Sequence, residues 1–348
     1  MKSRLLIVLL LVHATALAQS GPKVDPGWIS DPILTVSREF DGKPHLAVGP
    51  RGVVHIASCG RNAERTSQVY YRRSRDGGRS FDPARIVDQS QGCFDDVQMA
   101  VDPRGDVLFA WQVLTTRAGP WITLLSRLTA DDDVFTPPIR IKEPSTEPTG
   151  LGVAVDDQGR LHLLWGEHAL SYQWSIDSGS TLSRLSSVVT MGSRTWARPA
   201  VATGPGGKVY IAWRTWGFNR FTRGQSAAVY FARSVDSGKT FSKPVRLHTI
   251  DPPLSGDSSG VRIEVVSETD LTIIWPANTS GPSDARWHQV RSTNGGTTWG
   301  RATTLEGEAG INYWQTLVDP AGTRYDVWIS PPPQPALLFR VSRVGTGR

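Results

Sequence analysis

The chain has 348 residues, with 38 Lys and Arg against 32 Asp and Glu, two cysteines and thirteen tryptophans. Its formal charge of +6 is scattered rather than gathered in Lys/Arg runs, which gives no electrostatic footprint for nucleic acid. It also carries no phosphate-binding Gly loop, Cys/His cluster or nucleophile elbow, so the sequence calls for no cofactor and no metal.

The first residues, MKSRLLIVLLLVHATALAQS, combine a basic start at Lys2 and Arg4, an apolar run of roughly ten residues and a small-residue site at Ala16-Leu17-Ala18. That pattern predicts a signal peptide over residues 1–18, with a secreted or periplasmic product beginning at Gln19. The alternative, a membrane anchor, needs ~20 apolar residues, and no later segment offers a membrane span either. Loss of Lys2 and Arg4 leaves 36 cations against 32 anions, a charge of +4.

Residues 19–348 repeat themselves. PHLAVGPRGVVHIAS (44–58), VQMAVDPRGDVLFAW (97–111), LGVAVDDQGRLHLLW (151–165), PAVATGPGGKVYIAW (199–213), VRIEVVSETDLTIIW (261–275) and WQTLVDPAGTRYDVW (314–328) align without a gap. Each alternates apolar residues, breaks at a tight turn and alternates again, which is strand, turn, strand. A third strand follows, such as VYFAR (229–233), then a Ser-x-Asp-x-Gly turn and a fourth strand such as KPVRL (243–247). The Trp column at 111, 165, 213, 275 and 328 steps by 54, 48, 62 and 53, near the ~40–50 residues of a propeller blade with loop insertions. The reading is all-β: one six-bladed β-propeller of four-stranded antiparallel blades. The sixth copy lacks its last strand, and ILTVS (33–37) is expected to supply it and close the ring.

The turn recurs at Ser74-Asp76-Gly78-Phe81, Ser175-Asp177-Gly179, Ser234-Asp236-Gly238-Phe241 and Ser292-Asn294-Gly296-Trp299, with a degenerate copy over 126–135. Ser and Asp side chains bond nearby backbone, Gly supplies φ > 0 and the last aromatic is expected to insert between sheets. The turn is therefore a structural staple. Two copies depart from the pattern, with Leu182 for the aromatic and Asn294 for Asp. Asp131–Asp133 reads as a solvated turn, with a cation site as the alternative. His55 and His162 sit in strands as packing residues, and Asn278-Thr279-Ser280 is a formal glycosylation sequon.

A meander puts alternate connections on opposite faces. The turns above share one face; the variable loops share the other, where function tends to reside. Cys59 and Cys93 fall on the variable face in adjacent blades, where a bridge is feasible and two separate thiols are the alternative. The same face carries Arg61, Arg198, Arg214 and Arg262 with Trp196, Trp216, Tyr313 and Trp314. Guanidinium forks bind carboxylates and aromatic rings stack on sugars, so this set suits an acidic glycan.

In its repeats and its turns, which match Asp boxes, the chain resembles the sialidase (neuraminidase) superfamily of six-bladed propellers over residues 19–348. The resemblance implies a Tyr nucleophile helped by Glu, an Asp acid/base and three Arg that clamp a carboxylate. Tyr313 fits the nucleophile, and Arg61 fits the Arg that follows the family's second strand. Arg214 and Arg262 fit two clamp positions. The first clamp falls at Gly42-Lys43-Pro44, where Lys43 or Arg38 is the nearest cation, the acid/base position falls around Thr66 and Ser67, and the helper Glu is Arg198. Asp95, Asp96, Glu143, Glu147, Glu167, Asp257 and Glu308 are the other carboxylates placed on this face. Two readings follow: an exported propeller that binds, or also hydrolyses, an acidic glycoside, and a non-catalytic scaffold that docks a protein on the variable loops.

Overall fold

The computed structural model describes residues 28–344 apart from 32, 38–41, 62–65, 89–91, 94–96, 115–120, 146–149, 167–168, 191–194, 218–226, 251–259, 279–284, 306–311, 320 and 331–335. Six antiparallel sheets form six blades. Blade 1 comprises β3 (Pro44–Val48), β4 (Val54–Arg61), β5 (Ser67–Ser74) and β6 (Arg85–Ile86). Blade 2 comprises β7 (Val97–Val101), β8 (Val107–Leu114), β9 (Trp121–Leu128) and β10 (Ile139–Ser145), and blade 3 comprises β11 (Leu151–Val155), β12 (Leu161–Gly166), β13 (Ala169–Ser175) and β14 (Ser186–Thr190). Blade 4 holds β15 (Thr195–Gly204), β16 (Lys208–Gly217), β17 (Ala227–Ser234) and β18 (Val245–Ile250); blade 5 holds β19 (Arg262–Val265), β20 (Leu271–Asn278), β21 (Ala285–Ser292) and β22 (Thr303–Leu305).

Blade 6 contains β23 (Asn312–Val318), β24 (Thr323–Ile329) and β25 (Leu337–Val344), and its outer edge is filled from the other end of the chain. Two short strands, β1 (Trp28–Ser30) and β2 (Leu34–Ser37), pair with the two halves of β25. The closing strand is thus longer than the 33–37 segment read from the sequence, and a backbone bond from Asp31 to Val341 joins its two pieces. Pairing removes the exposed edge that β25 would otherwise present.

Strand alternation builds the interior. In β16, Val209, Ile211 and Trp213 pack toward blade 3, while Tyr210 and Ala212 pack toward blade 5. The same division operates all the way round, so one apolar cluster seals each of the six interfaces between neighbouring blades. The five Trp of the repeat column are all buried. His55 and His162 are likewise packing residues: each bonds a Tyr hydroxyl of its own blade, Tyr71 at 2.7 Å and Tyr172 at 2.6 Å.

The recurrent turns form the staples. Ser234 Oγ donates to Asp236 and accepts from the Gly238 amide, while Asp236 accepts from the Thr240 amide and hydroxyl. These bonds hold the Asp236 and Asp177 carboxyls down at about 2. Asn294 reproduces the arrangement with the last bond reversed, its Nδ2 donating to Thr298 Oγ1 at 2.7 Å. The final aromatic meets a third-strand residue of the preceding blade: Phe81 on Phe339, Phe241 on Tyr172 and Trp299 on Phe231, edge to face. Leu182 breaks the pattern, and the matching third-strand position of the preceding blade holds Leu125 rather than an aromatic ring. Gly238 has φ 82°, and any Cβ there would overlap the hydroxyl of Tyr172, so both conformation and packing demand glycine.

The degenerate copy also works as a staple. Phe135 packs edge-on against Tyr71, and Asp133 accepts from Arg73 and Arg85 of blade 1 at 2.8 and 2.7 Å. Burial opposes ionisation of Asp133, but these bonds outweigh it and keep its carboxyl below the ordinary range. Asp133 is thereby committed to a blade-to-blade ion pair, and among the described residues no group of His, Cys, Asp or Glu could hold a metal ion.

Candidate functional site

The six first strands, β3, β7, β11, β15, β19 and β23, surround a central cavity of about 330 Å³. Toward the variable-loop face, polar side chains from the first strands of five blades, or the residue just before one, line this cavity: Lys43, His45, Gln98, Arg198, Arg262 and Tyr313. They come from blades 1, 2, 4, 5 and 6, so the closed ring is what brings them together. Among the described lining residues there are three cations and no Asp or Glu.

Tyr313 is held unusually. It has φ 52°, in the left-handed region, and lies within a register shift between Asn312 and Gln315 where β23 meets β24. Among the described residues the other non-Gly residues with positive φ are Arg51, Asp133, Ser178 and Ser237, all outside strands. A bulge re-aims a side chain, and an aromatic residue kept left-handed costs roughly 1–3 kcal/mol that the surrounding fold must offset. Its ring lies 5.6 Å from Lys43 Nζ.

Lys43 follows Gly42 at the entry of β3, the position where the family resemblance expects the first clamp Arg. Gly42 is pressed against the backbone of Cys59, and a Cβ at 42 would coincide with the Cys59 carbonyl, so no side chain fits there. Lys43, only 7% exposed, brings its charge to the rim instead. Cys59 is bonded to Cys93 with the Cα atoms 5.7 Å apart, and Ser67 Oγ donates to the Cys93 carbonyl, which ties this loop of blade 1 to the entry of blade 2.

Arg262 lies in a corner of aromatic rings. Its guanidinium carbon is 4.3 Å from the Trp287 centroid and 5.2 Å from that of Trp314, while the two indoles meet edge to face at 5.2 Å. Its charge also reaches His45, whose ring is held at about 4 by burial first, and then by Arg262, against a bond to Gln98. His45 is therefore neutral near pH 7, and the positive charge of the rim resides on Lys43, Arg198 and Arg262.

Several residues read from the sequence as ligand contacts lie elsewhere. Trp314 is 1% exposed and belongs to the core between blades 5 and 6, because its position in β23 turns the ring toward Trp287. Arg214 is 2% exposed and bonds the Pro276 carbonyl of blade 5, beneath the cavity wall rather than on it. Arg61 is exposed at the end of β4, outside the cavity lining. Trp196 and Trp216 are directly opposite in the β15–β16 pair, and their side chains lie outside the described residues. The same holds for the side chain of Glu143 and for Asp95, Asp96, Glu147, Glu167, Asp257 and Glu308, as for residues 1–18 and Arg38. The sequence reading missed Gln98, the part His45 plays at the rim, and the whole buried set behind Arg262. Their signal, one polar residue within an apolar strand, is the same that a surface position leaves.

No protein-family model and no curated protein sequence matches the chain. Among solved structures it is similar to a protein of unknown function from Dyadobacter fermentans, at 16% identity and TM-score 0.64 over 92% of this chain and 100% of that one. It is also similar to the leech intramolecular trans-sialidase complexed with 2,7-anhydro-Neu5Ac, at 11% identity and TM-score 0.64 over 90% of this chain and 70% of that one. The α-L-arabinanase of Penicillium chrysogenum complexed with arabinobiose gives 15% identity and TM-score 0.64 over 92% and 100%. The chain has the fold of the sialidase-like six-bladed propellers.

Proposed function

We propose that the chain is an exported sialidase-like propeller, its recurrent turns the family's Asp boxes, that binds an acidic glycan or glycoside through a carboxylate at the axial mouth. The observation that carries this reading is the convergence of Lys43, Arg198 and Arg262 with a left-handed Tyr313 on one cavity whose described lining holds no carboxylate. Cations held in a partly desolvated mouth attract an anion more strongly than surface charges do. Tyr313 offers a ring and a hydroxyl beside the same space, suited to a sugar face and its hydroxyls. The solved neighbours support a sugar as the ligand, since one is complexed with 2,7-anhydro-Neu5Ac and another with arabinobiose. Export rests on the leader at residues 1–18 and accords with the Cys59–Cys93 bond, which persists in oxidising compartments.

Binding comes before turnover in this reading. General acid/base help is typically worth 10²–10⁴-fold, and neither Thr66, Ser67 nor Arg198 supplies it where the family resemblance calls for a carboxylate. The test is calorimetric titration of the purified chain with N-acetylneuraminate and with its methyl ester, alongside a fluorogenic sialoside and a panel of neutral glycosides. Binding of the acid at least tenfold tighter than the ester supports the proposal; equal affinity, or no binding of any acidic sugar, contradicts it. In the latter case the variable-loop face stands as a protein-docking surface. Sialoside turnover lost in Tyr313→Phe would add hydrolysis to binding.

A further inference from the structure

Behind Arg262 lies a buried polar group that the proposed binding does not itself use. Asp326, in β24, is 0% exposed. Its Oδ1 accepts from Trp314 Nε1 at 3.0 Å and from Arg324 Nε at 3.0 Å, and its Oδ2 accepts from Arg340 Nη2 at 3.1 Å. A wholly buried carboxylate is costly unless such bonds compensate it, and an apolar residue would pack blade 6 with less demand on its neighbours. The bond to Trp314 satisfies the buried indole N–H and adds a directional constraint to the packing that holds the ring against Trp287. That indole and Trp287 form the corner against which Arg262 rests, and the guanidinium carbon of Arg324 lies 5.4 Å from the centroid of the Trp314 ring.

We infer that Asp326 is a positioning residue of the anion site, orienting Arg262 toward the cavity through Trp314. The inference rests on the binding reading above. Arg side chains lose considerable rotamer freedom when they grip a ligand, so a guanidinium already seated between two indoles binds an anion with less ordering left to do. The grip is transmitted by shape: removing the indole N–H lets the ring turn, the corner opens, and Arg262 loses its seat while keeping its charge.

The experiment compares Trp314→Phe and Asp326→Asn with the unmodified chain. Trp314→Phe keeps an aromatic ring but removes the bond to Asp326; Asp326→Asn keeps the shape but removes the carboxylate charge that Arg324 and Arg340 bond. Affinity for N-acetylneuraminate is expected to fall about fivefold to tenfold in both, with affinity for the neutral methyl ester unchanged, a split that general loosening of the fold would not produce. Should Asp326→Asn fail to fold, Trp314→Phe decides alone, and unchanged affinity for the acid in a cooperatively melting Trp314→Phe overturns the inference. The ¹⁵Nε–H resonance of Arg262, assigned by its loss in Arg262→Ala, separates this outcome from failure of the binding reading. A dispersed signal that moves to the random-coil position in Trp314→Phe supports positioning even where no sugar binds, and a signal unchanged in that variant rules it out.

Discussion

The interface between blades 3 and 4 and the interface between blades 5 and 6 are built from the same repeat and do different things. Between blades 3 and 4 the seal is Leu164, Leu170, Tyr172, Val209, Ile211 and Trp213, closed at one end by the turn through Gly238 and Phe241. Between blades 5 and 6 the apolar cluster is shorter, and three indoles, Trp287, Trp314 and Trp328, share the space with Asp326, Arg324, Arg340 and Arg262. The first interface uses burial, worth roughly 25 cal/mol per Å² of apolar surface, and cares about volume. The second holds charges, whose value depends on where each points. Repetition specifies the ring, and departure from repetition specifies the site.

The largest expected effect lies in the first interface. Gly238→Ala forces a left-handed Ala and an overlap with Tyr172, which together cost roughly 2–5 kcal/mol. A thermal melt should shift markedly while sugar affinity of the folded fraction stays as it was. Arg262→Ala reverses the pattern: affinity for N-acetylneuraminate falls at least tenfold, about 1.4 kcal/mol, and the melting temperature moves little. If either variant changes both quantities together, the two interfaces are not separable.

A third prediction concerns acid. Asp177 and Asp236 titrate at about 2 in the folded chain, against an ordinary value near 3.9 when unfolded. Because the folded value is the lower one, their contribution is complete above about pH 4 and is lost as the pH falls from there toward 2. Melts recorded across that window should show the loss, and Asp236→Asn should flatten part of it. The smallest effect is expected for Asn294→Asp, since Asn294 already makes the bonds of the turn. Its melting temperature at pH 7 should stay within about 1 °C, a shift of a few tenths of a kcal/mol, and it should gain the acid dependence that the Asp-bearing turns have.

Much of the ring was legible in the chain. Six segments with period-two alternation, each ending in or near the Trp column, gave the blades, because alternation is what two-sided packing between neighbours requires. The Ser-x-Asp turns identified one face for the same reason. Arg198, Arg262 and Tyr313 could be placed at the cavity because they stand where first strands begin. Trp314 could not be distinguished from them: it is the next residue after Tyr313, and only the bulge at 312–315 decides which of the two rings faces the axis. Arg214 is directly opposite Arg198 in the β15–β16 pair, yet one lines the cavity and the other is covered by blade 5. Asp326, Arg324 and Arg340 read as polar positions of ordinary strands, since a pattern of alternation does not say whether the polar side meets water or another blade.

An axial mouth that seizes a carboxylate should hold one in a crystal structure of the chain with N-acetylneuraminate. The sugar is expected in the central cavity, its carboxylate within about 3 Å of nitrogens of Arg262 and of Lys43 or Arg198, and its ring beside Tyr313. A sugar bound elsewhere, or one in the cavity with its carboxylate turned to solvent, would contradict it.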